Sequence, residues 1–158
     1  MHPYGESVGE SGPGHRDDLG PDRIDQTALP LSRTYTYARD GAGVYAYVID
    51  TGLQANHPDF GGRAQNVYDA LGGSGADCHG HGTHVAGTIG GNTYGVAKRV
   101  FLRGVRVLGC TGSGSTSGII SALNWLRTNA VQPAVANMSL GGGRSTSLNS
   151  AANNLANS

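Results

Sequence analysis

The chain has 158 residues, 11 Lys and Arg against 11 Asp and Glu, 37% hydrophobic residues and 27 glycines, enough for one domain with a real core and outside the composition of a disordered chain. No apolar run approaches the roughly 18 residues that a membrane span needs, and the polar start MHPYGESVGESGPGHRDDLG does not read as a signal peptide. Every carboxylate lies at or before Asp77, but Lys98, Arg99, Arg103, Arg106, Arg127 and Arg144 are scattered without interleaved aromatics, which argues against nucleic acid as a partner.

Residues 1–20, rich in Gly, Pro and charge, read as a flexible lead-in, and order is expected from residue 21 onward. VYAYVID, residues 44–50, is β-branched and aromatic, and predicts a buried strand that delivers Asp50 at its carboxyl end. A short helix is expected over Thr83 to Ile89, opening just after His81. A strand follows around Val100 to Leu108, then the loop GCTGSGSTSG and an amphipathic helix from Ser117 to Asn129 with Ile120, Leu123, Trp125 and Leu126 at near-helical spacing. A strand from Ala134 to Met138 leads into SLGGG and a last helix from about Thr146. Alternating strands and helices predict an α/β fold with a parallel sheet covered on both faces. Sites in such sheets form beyond the carboxyl ends of the strands.

The stretch CHGHGTHVAG, residues 78–87, places His79, His81 and His84 beside a cysteine. A zinc reading fails for want of H-E-x-x-H and of any later carboxylate to complete a shell. A dinucleotide reading of GCTGSGSTSG fails as well, because G-x-G-x-x-G is not met and no acidic residue follows Asp77. Acyl transfer needs an acid to orient an imidazole, an imidazole to take a hydroxyl proton and a serine aimed at a carbonyl. Asp50 at a strand end and a histidine at a helix start supply the first two. Cys78 and Cys110 are compatible with one disulfide outside a cell or two buried thiols inside it.

YVIDTG at 47–52, HGTHVAGTIGG at 81–91, YGVAK at 94–98 and VANMSLGGG at 135–143 together resemble the subtilisin-type serine peptidases, nearest to the extracellular aqualysin and proteinase K branch. The resemblance runs from about Asp22 to residue 158, and four motifs in the family's order make it specific. It implies a three-layer α/β/α fold, truncated before its C-terminal half, with residues 21–158 as the N-terminal portion of the peptidase domain. By the same resemblance Asp50 is the acid and His81 the base of a catalytic triad. His84 is a structural histidine facing the helix interior, and His79 is a surface residue. Gly112, Ser113 and Gly114 match one strand-like wall of the substrate cleft, and Ser139, Leu140 and Gly141 match the other. Two such walls hold an extended polypeptide by main-chain hydrogen bonds, which implies broad specificity.

The family's nucleophile motif Gly-Thr-Ser-Met-Ala and its oxyanion Asn do not occur among the 158 residues. The implied function is therefore a secreted serine endopeptidase whose missing C-terminal half is a necessary partner, so that this chain is inactive alone. The alternative is a non-enzymatic peptide-binding or inhibitory module. The resemblance further implies a disulfide between Cys78 and Cys110 and a structural calcium held by Asp22, Asp25 and Gln26, with Ser32 and Thr34 nearby. No organic cofactor is implied. Helix capping is the competing role for Asp22 and Asp25.

Overall fold

A computed structural model describes residues 19–32 and 34–158, and divides the chain into two compact units, residues 1–38 and residues 39–158. The expected flexible lead-in falls almost wholly outside the described residues. In the first unit a six-residue helix, α1 (Leu19–Ile24), carries Asp22 in its first turn and leads into irregular chain.

The second unit is built on a four-stranded parallel sheet in the order β2-β3-β1-β4. In chain order its elements are β1 (Tyr45–Asp50), a 3-10 turn (Pro58–Phe60), β2 (Ala64–Asp69), α2 (His81–Gly90), β3 (Phe101–Arg106), α3 (Thr116–Asn129), β4 (Ala134–Asn137) and α4 (Thr146–Ala156). The register runs from Tyr45 opposite Phe101 to Asp50 opposite Arg106, and from Tyr45 opposite Ala134 to Val48 opposite Asn137. β2 pairs with β3 through a register irregularity between Asn66 and Tyr68.

Successive side chains of a strand point to opposite faces, and β1 uses both. Ala46 and Val48 pack with Leu53, Ala86, Val100 and Leu102 on the α2 side. Tyr47 and Ile49 pack with Val105, Val107 and the helices α3 and α4 on the other. This double burial explains why the strand reads as an almost continuous apolar run, and it gives the expected helix-sheet-helix layering.

Several details differ from expectation. β2 was not expected at all, because Ala64-Gln65-Asn66-Val67-Tyr68-Asp69 lies at a sheet edge and remains only partly buried. The buried stripe of α3 is Ile119, Ala122, Leu123 and Leu126, while Ile120 and Trp125 flank it half-buried. The two expected substrate walls, residues 112–114 and 139–141, have no strand structure: β4 already ends at Asn137.

Candidate active site

All four strands end on the same edge of the sheet, and β1, its most buried strand, lifts Asp50 to that edge. Asp50 and Thr51 are fully buried. The Asp50 carbonyl accepts from Val107 N–H at 2.8 Å and Leu108 N–H at 3.1 Å, and Thr51 N–H donates to its Oδ1 at 2.7 Å. A buried carboxylate persists only when its lone pairs are satisfied, and the remaining partner is an imidazole. His81, first residue of α2, brings Nδ1 to 2.8 Å from Oδ1 and 2.9 Å from Oδ2.

An ionised carboxylate only accepts hydrogen bonds, so in the neutral imidazole this contact places the hydrogen on Nδ1 and leaves the lone pair on Nε2. The His81 side chain is 44% exposed where Asp50 is 0% exposed. The pair thus has one end locked in the core and the other open to solvent, as a general base acting on an outside hydroxyl requires.

The open end faces a cleft of about 470 Å³. Gly112, Ser113 and Gly114 line it, Ser139, Leu140 and Gly141 line it from the segment after β4, and His79, His81, Thr51, Leu108, Thr111 and Ile119 complete it. Both expected wall segments therefore meet around His81. Gly112 has φ +77, and a Cβ there would lie 3.0 Å from His79 Nε2, so a side chain at that point would be strained and would push His79 aside. His79 is exposed at the cleft, with its ring centroid 6.3 Å from that of His81.

Cys78 and Cys110 form a disulfide with Cα atoms 5.0 Å apart. It joins the segment just before His81 to the segment just before Gly112, and Arg106 Nη2 lies 3.2 Å from Cys78 Sγ.

One expectation needs correction here, and one glycine of α2 gains an explanation. His84 is exposed on α2 rather than facing the helix interior; the buried residues of this helix are Gly82, Ala86 and Gly90. Gly82 has a packing reason. It is buried, and a Cβ there would meet the Gly52 carbonyl oxygen at 2.2 Å, so glycine lets the first turn of α2 lie against the end of β1.

The expected metal ligands separate into two groups. Ser32 Oγ donates to Asp22 Oδ1 at 3.1 Å and lies 2.8 Å from Thr34 Oγ1, and the Gln26 amide contacts both Asp22 Oδ1 and Ser32 Oγ. Asp25 instead accepts from Thr36 N–H at 2.7 Å.

Sequence reasoning overlooked two residues. Ser7 has glycine at positions 5 and 9, the spacing of a nucleophile elbow, and lies outside the described residues. Asp77 gathers hydrogen bonds from both sides of the Asp50-His81 pair, and the only available signal was its place as the last carboxylate of the chain.

Comparison with known proteins gives one consistent outcome. Residues 41–158 match the subtilase family. The chain is 61% identical over 140 residues to an extracellular serine proteinase of Thermus sp. (strain Rt41A), covering 87% of this chain and 34% of that protein. It is 60% identical over 134 residues to alkaline serine exoprotease A of Vibrio alginolyticus, covering 84% and 25%. It also resembles a cold adapted subtilisin-like serine proteinase of known crystal structure, with TM-score 0.83 and 59% identity, covering 86% of this chain and 50% of that one. The chain thus spans about a third or less of these two curated relatives and half of the solved chain.

Proposed function

We propose, from the premise that this chain belongs to the subtilase family, that it supplies the acid, the base and both substrate walls of a secreted serine endopeptidase of broad specificity. The observation that carries this reading is the contact between buried Asp50 and half-open His81 at the mouth of a cleft lined by residues 112–114 and 139–141.

In this reading Asp50 fixes the imidazole in the Nδ1–H form and stabilises the imidazolium that appears when Nε2 takes a hydroxyl proton. The walls lie outside the strands of the sheet, and an extended polypeptide would lie between them as an added strand. The serine that donates the proton is outside these described elements. Ser139 is a hydroxyl on the wall, but it follows β4 closely without a strand-to-helix elbow, and its Oγ accepts from Asn137 Nδ2 at 2.9 Å.

We further infer that residues 21–158 form the N-terminal portion of the peptidase domain, and that a calcium ion ties the turn of residues 22–34. The donor chemistry fits in part: Ser32 Oγ lies within 3.2 Å of Asp22 Oδ1, the Thr34 hydroxyl and the Thr34 carbonyl, and calcium takes six to eight such oxygens, water included. Gln26, whose amide nitrogen contacts Asp22 and Ser32, would have to turn its oxygen inward to join them. Asp25 contributes by closing the turn onto Thr36.

The deciding experiment compares the 158-residue chain with a longer polypeptide from the same gene that contains Gly-Thr-Ser-Met-Ala. The short chain should leave casein intact and take up no serine-directed fluorophosphonate. The longer one should cleave casein and carry the label on the serine of that motif. Label on a serine of the 158-residue chain, or a longer polypeptide without the motif, would overturn the reading and favour a peptide-binding module.

A further inference from the structure

We propose that Asp77 is a positioning residue for the Asp50-His81 pair, its carboxylate clamping the end of β1 to the first turn of α2. The inference rests on the acid-base reading above, and it concerns what holds the pair at 2.8 Å.

The need for a clamp follows from helix physics. The first N–H groups of an α-helix have no partner within the helix. An N-cap side chain ordinarily accepts from the third of them. The N-cap of α2 is Gly80, at φ 100, which has no side chain and makes no such bond. The duty passes to Asp77, three residues earlier. Its Oδ2 accepts from Thr83 N–H at 2.9 Å and from the Thr83 hydroxyl at 2.5 Å. Its Oδ1 accepts from His79 N–H at 3.0 Å and Gly80 N–H at 2.8 Å, so both residues of the approach to His81 are held by the same oxygen.

The clamp reaches β1 through Thr51. The Thr51 hydroxyl donates to Asp77 Oδ1 at 2.8 Å and accepts from Gly82 N–H at 2.9 Å. Thr51 is fully buried and directly follows Asp50. One buried hydroxyl therefore joins the residue beside the acid to the residue beside the base. Thr83 Oγ1 adds a second tie by accepting from Gln54 N–H at 3.0 Å. Thr51 and His79 also line the cleft, but Asp77, Thr83 and Gln54 do not; the set acts on the angle and distance between two backbones that carry functional side chains.

The ionisation of Asp77 agrees with five inward donors. Burial alone would raise its carboxyl, but hydrogen bonds from the Thr83 hydroxyl, the Gly80 and Thr83 N–H groups and the Thr51 hydroxyl outweigh it and hold the group below the ordinary carboxylate value. Asp77 is thus a carboxylate at any pH where His81 works as a base. An asparagine there would set an NH₂ against either the three donors on Oδ1 or the two on Oδ2, since only one of its two terminal atoms accepts.

The test reads His81 directly. In the 158-residue chain with isotope-labelled histidine, the Nδ1 proton of His81 should give the far-downfield signal of a carboxylate-bound imidazole, and Asp50→Asn should abolish it. Asp77→Asn should weaken or remove the same signal and lower the His81 pKa by on the order of one unit, because a loosened Asp50 stabilises the imidazolium less. Thr51→Val should do likewise with the Asp77 charge in place, and Thr51→Ser, which keeps the hydroxyl, should restore both readouts. A pure capping role predicts lower melting temperatures with the signal and titration of His81 unchanged, and that result overturns the inference. If Asp77→Asn does not fold, the contrast between Thr51→Val and Thr51→Ser decides in the same way. If Asp50→Asn leaves the signal intact, the acid-base reading itself has failed and the clamp falls with it; an intact signal only in the Asp77 and Thr51 variants refutes the clamp alone.

Discussion

Replacing both cysteines of the Cys78–Cys110 bridge with serine isolates the contribution of one covalent link to a site built from distant segments. The bridge closes a loop with a sequence separation of 32. In the chain-entropy treatment a loop of that length removes about 12 cal/mol/K from the unfolded ensemble, which is about 3.7 kcal/mol at room temperature. For a domain of this size each kcal/mol moves the melting temperature by about 3–5 °C, so Cys78→Ser/Cys110→Ser should melt about 11–18 °C lower by calorimetry. The serine hydroxyls can still accept from Arg106, whose Nη2 lies 3.2 Å from one sulfur and 3.7 Å from the other. The measured loss therefore reports the link rather than a stranded guanidinium. Hydrogen exchange should rise together at residues 78–81 and 110–114. A double variant melting within about 3 °C of the parent would refute the loop-entropy reasoning, and protection lost on only one side of the cleft would refute the claim that the bridge couples the two.

Gly82→Ala should fail to fold or lose at least about 3 kcal/mol by urea titration, since its Cβ would sit 2.2 Å from the Gly52 carbonyl oxygen, a backbone atom, with Thr51 Oγ1 at 3.1 Å and Asp50 Cβ at 3.2 Å. In a longer polypeptide that carries Gly-Thr-Ser-Met-Ala and cleaves casein, His81→Ala and Asp50→Asn should each lower kcat on the order of 10⁴-fold, whereas His79→Ala should keep most activity. Asp77 has a folded pKa below its unfolded one, so its stabilisation is present above about pH 4 and is lost as pH falls through the lower folded value; Asp77→Asn should therefore flatten the acid limb of stability while lowering the plateau near neutrality. EDTA should lower the melting temperature, excess calcium should restore it, and Asp22→Asn should make the protein insensitive to both.

The legible parts of the fold were those with a one-dimensional signature. β1 is apolar because both its faces are covered, and α3 shows helical spacing because one face is. β2 left no such mark: its Asn66 is polar yet structural, exchanging hydrogen bonds with Leu53 N–H at 3.0 Å and the Leu53 carbonyl at 2.9 Å. The pair Asp50 and His81 was legible because each sits in a recognisable motif, although 31 residues separate them. Asp77 was not, since a carboxylate that caps a helix from beyond a glycine N-cap has no spacing rule of its own. Burial of Gly82 and exposure of His84 were likewise invisible, because both depend on which side of α2 meets the end of β1.

Strand order also governs how this chain comes off the ribosome. β1 is central, yet one of its partners, β4, lies 89 positions later, Tyr45 opposite Ala134 (134 minus 45). At translation speeds of about 5–20 residues per second, β1 has one bare flank for about 4–18 s after it is made. Every pairing in the sheet is parallel and distant, the type of contact whose loop closure is slow. During that interval the nascent chain offers Val44 to Asp50, an apolar strand with unmet backbone groups, to any neighbour on the polysome. Synthesis rate and crowding, more than final stability, should therefore set the yield of soluble product, and slowing elongation before residue 134 should lower it.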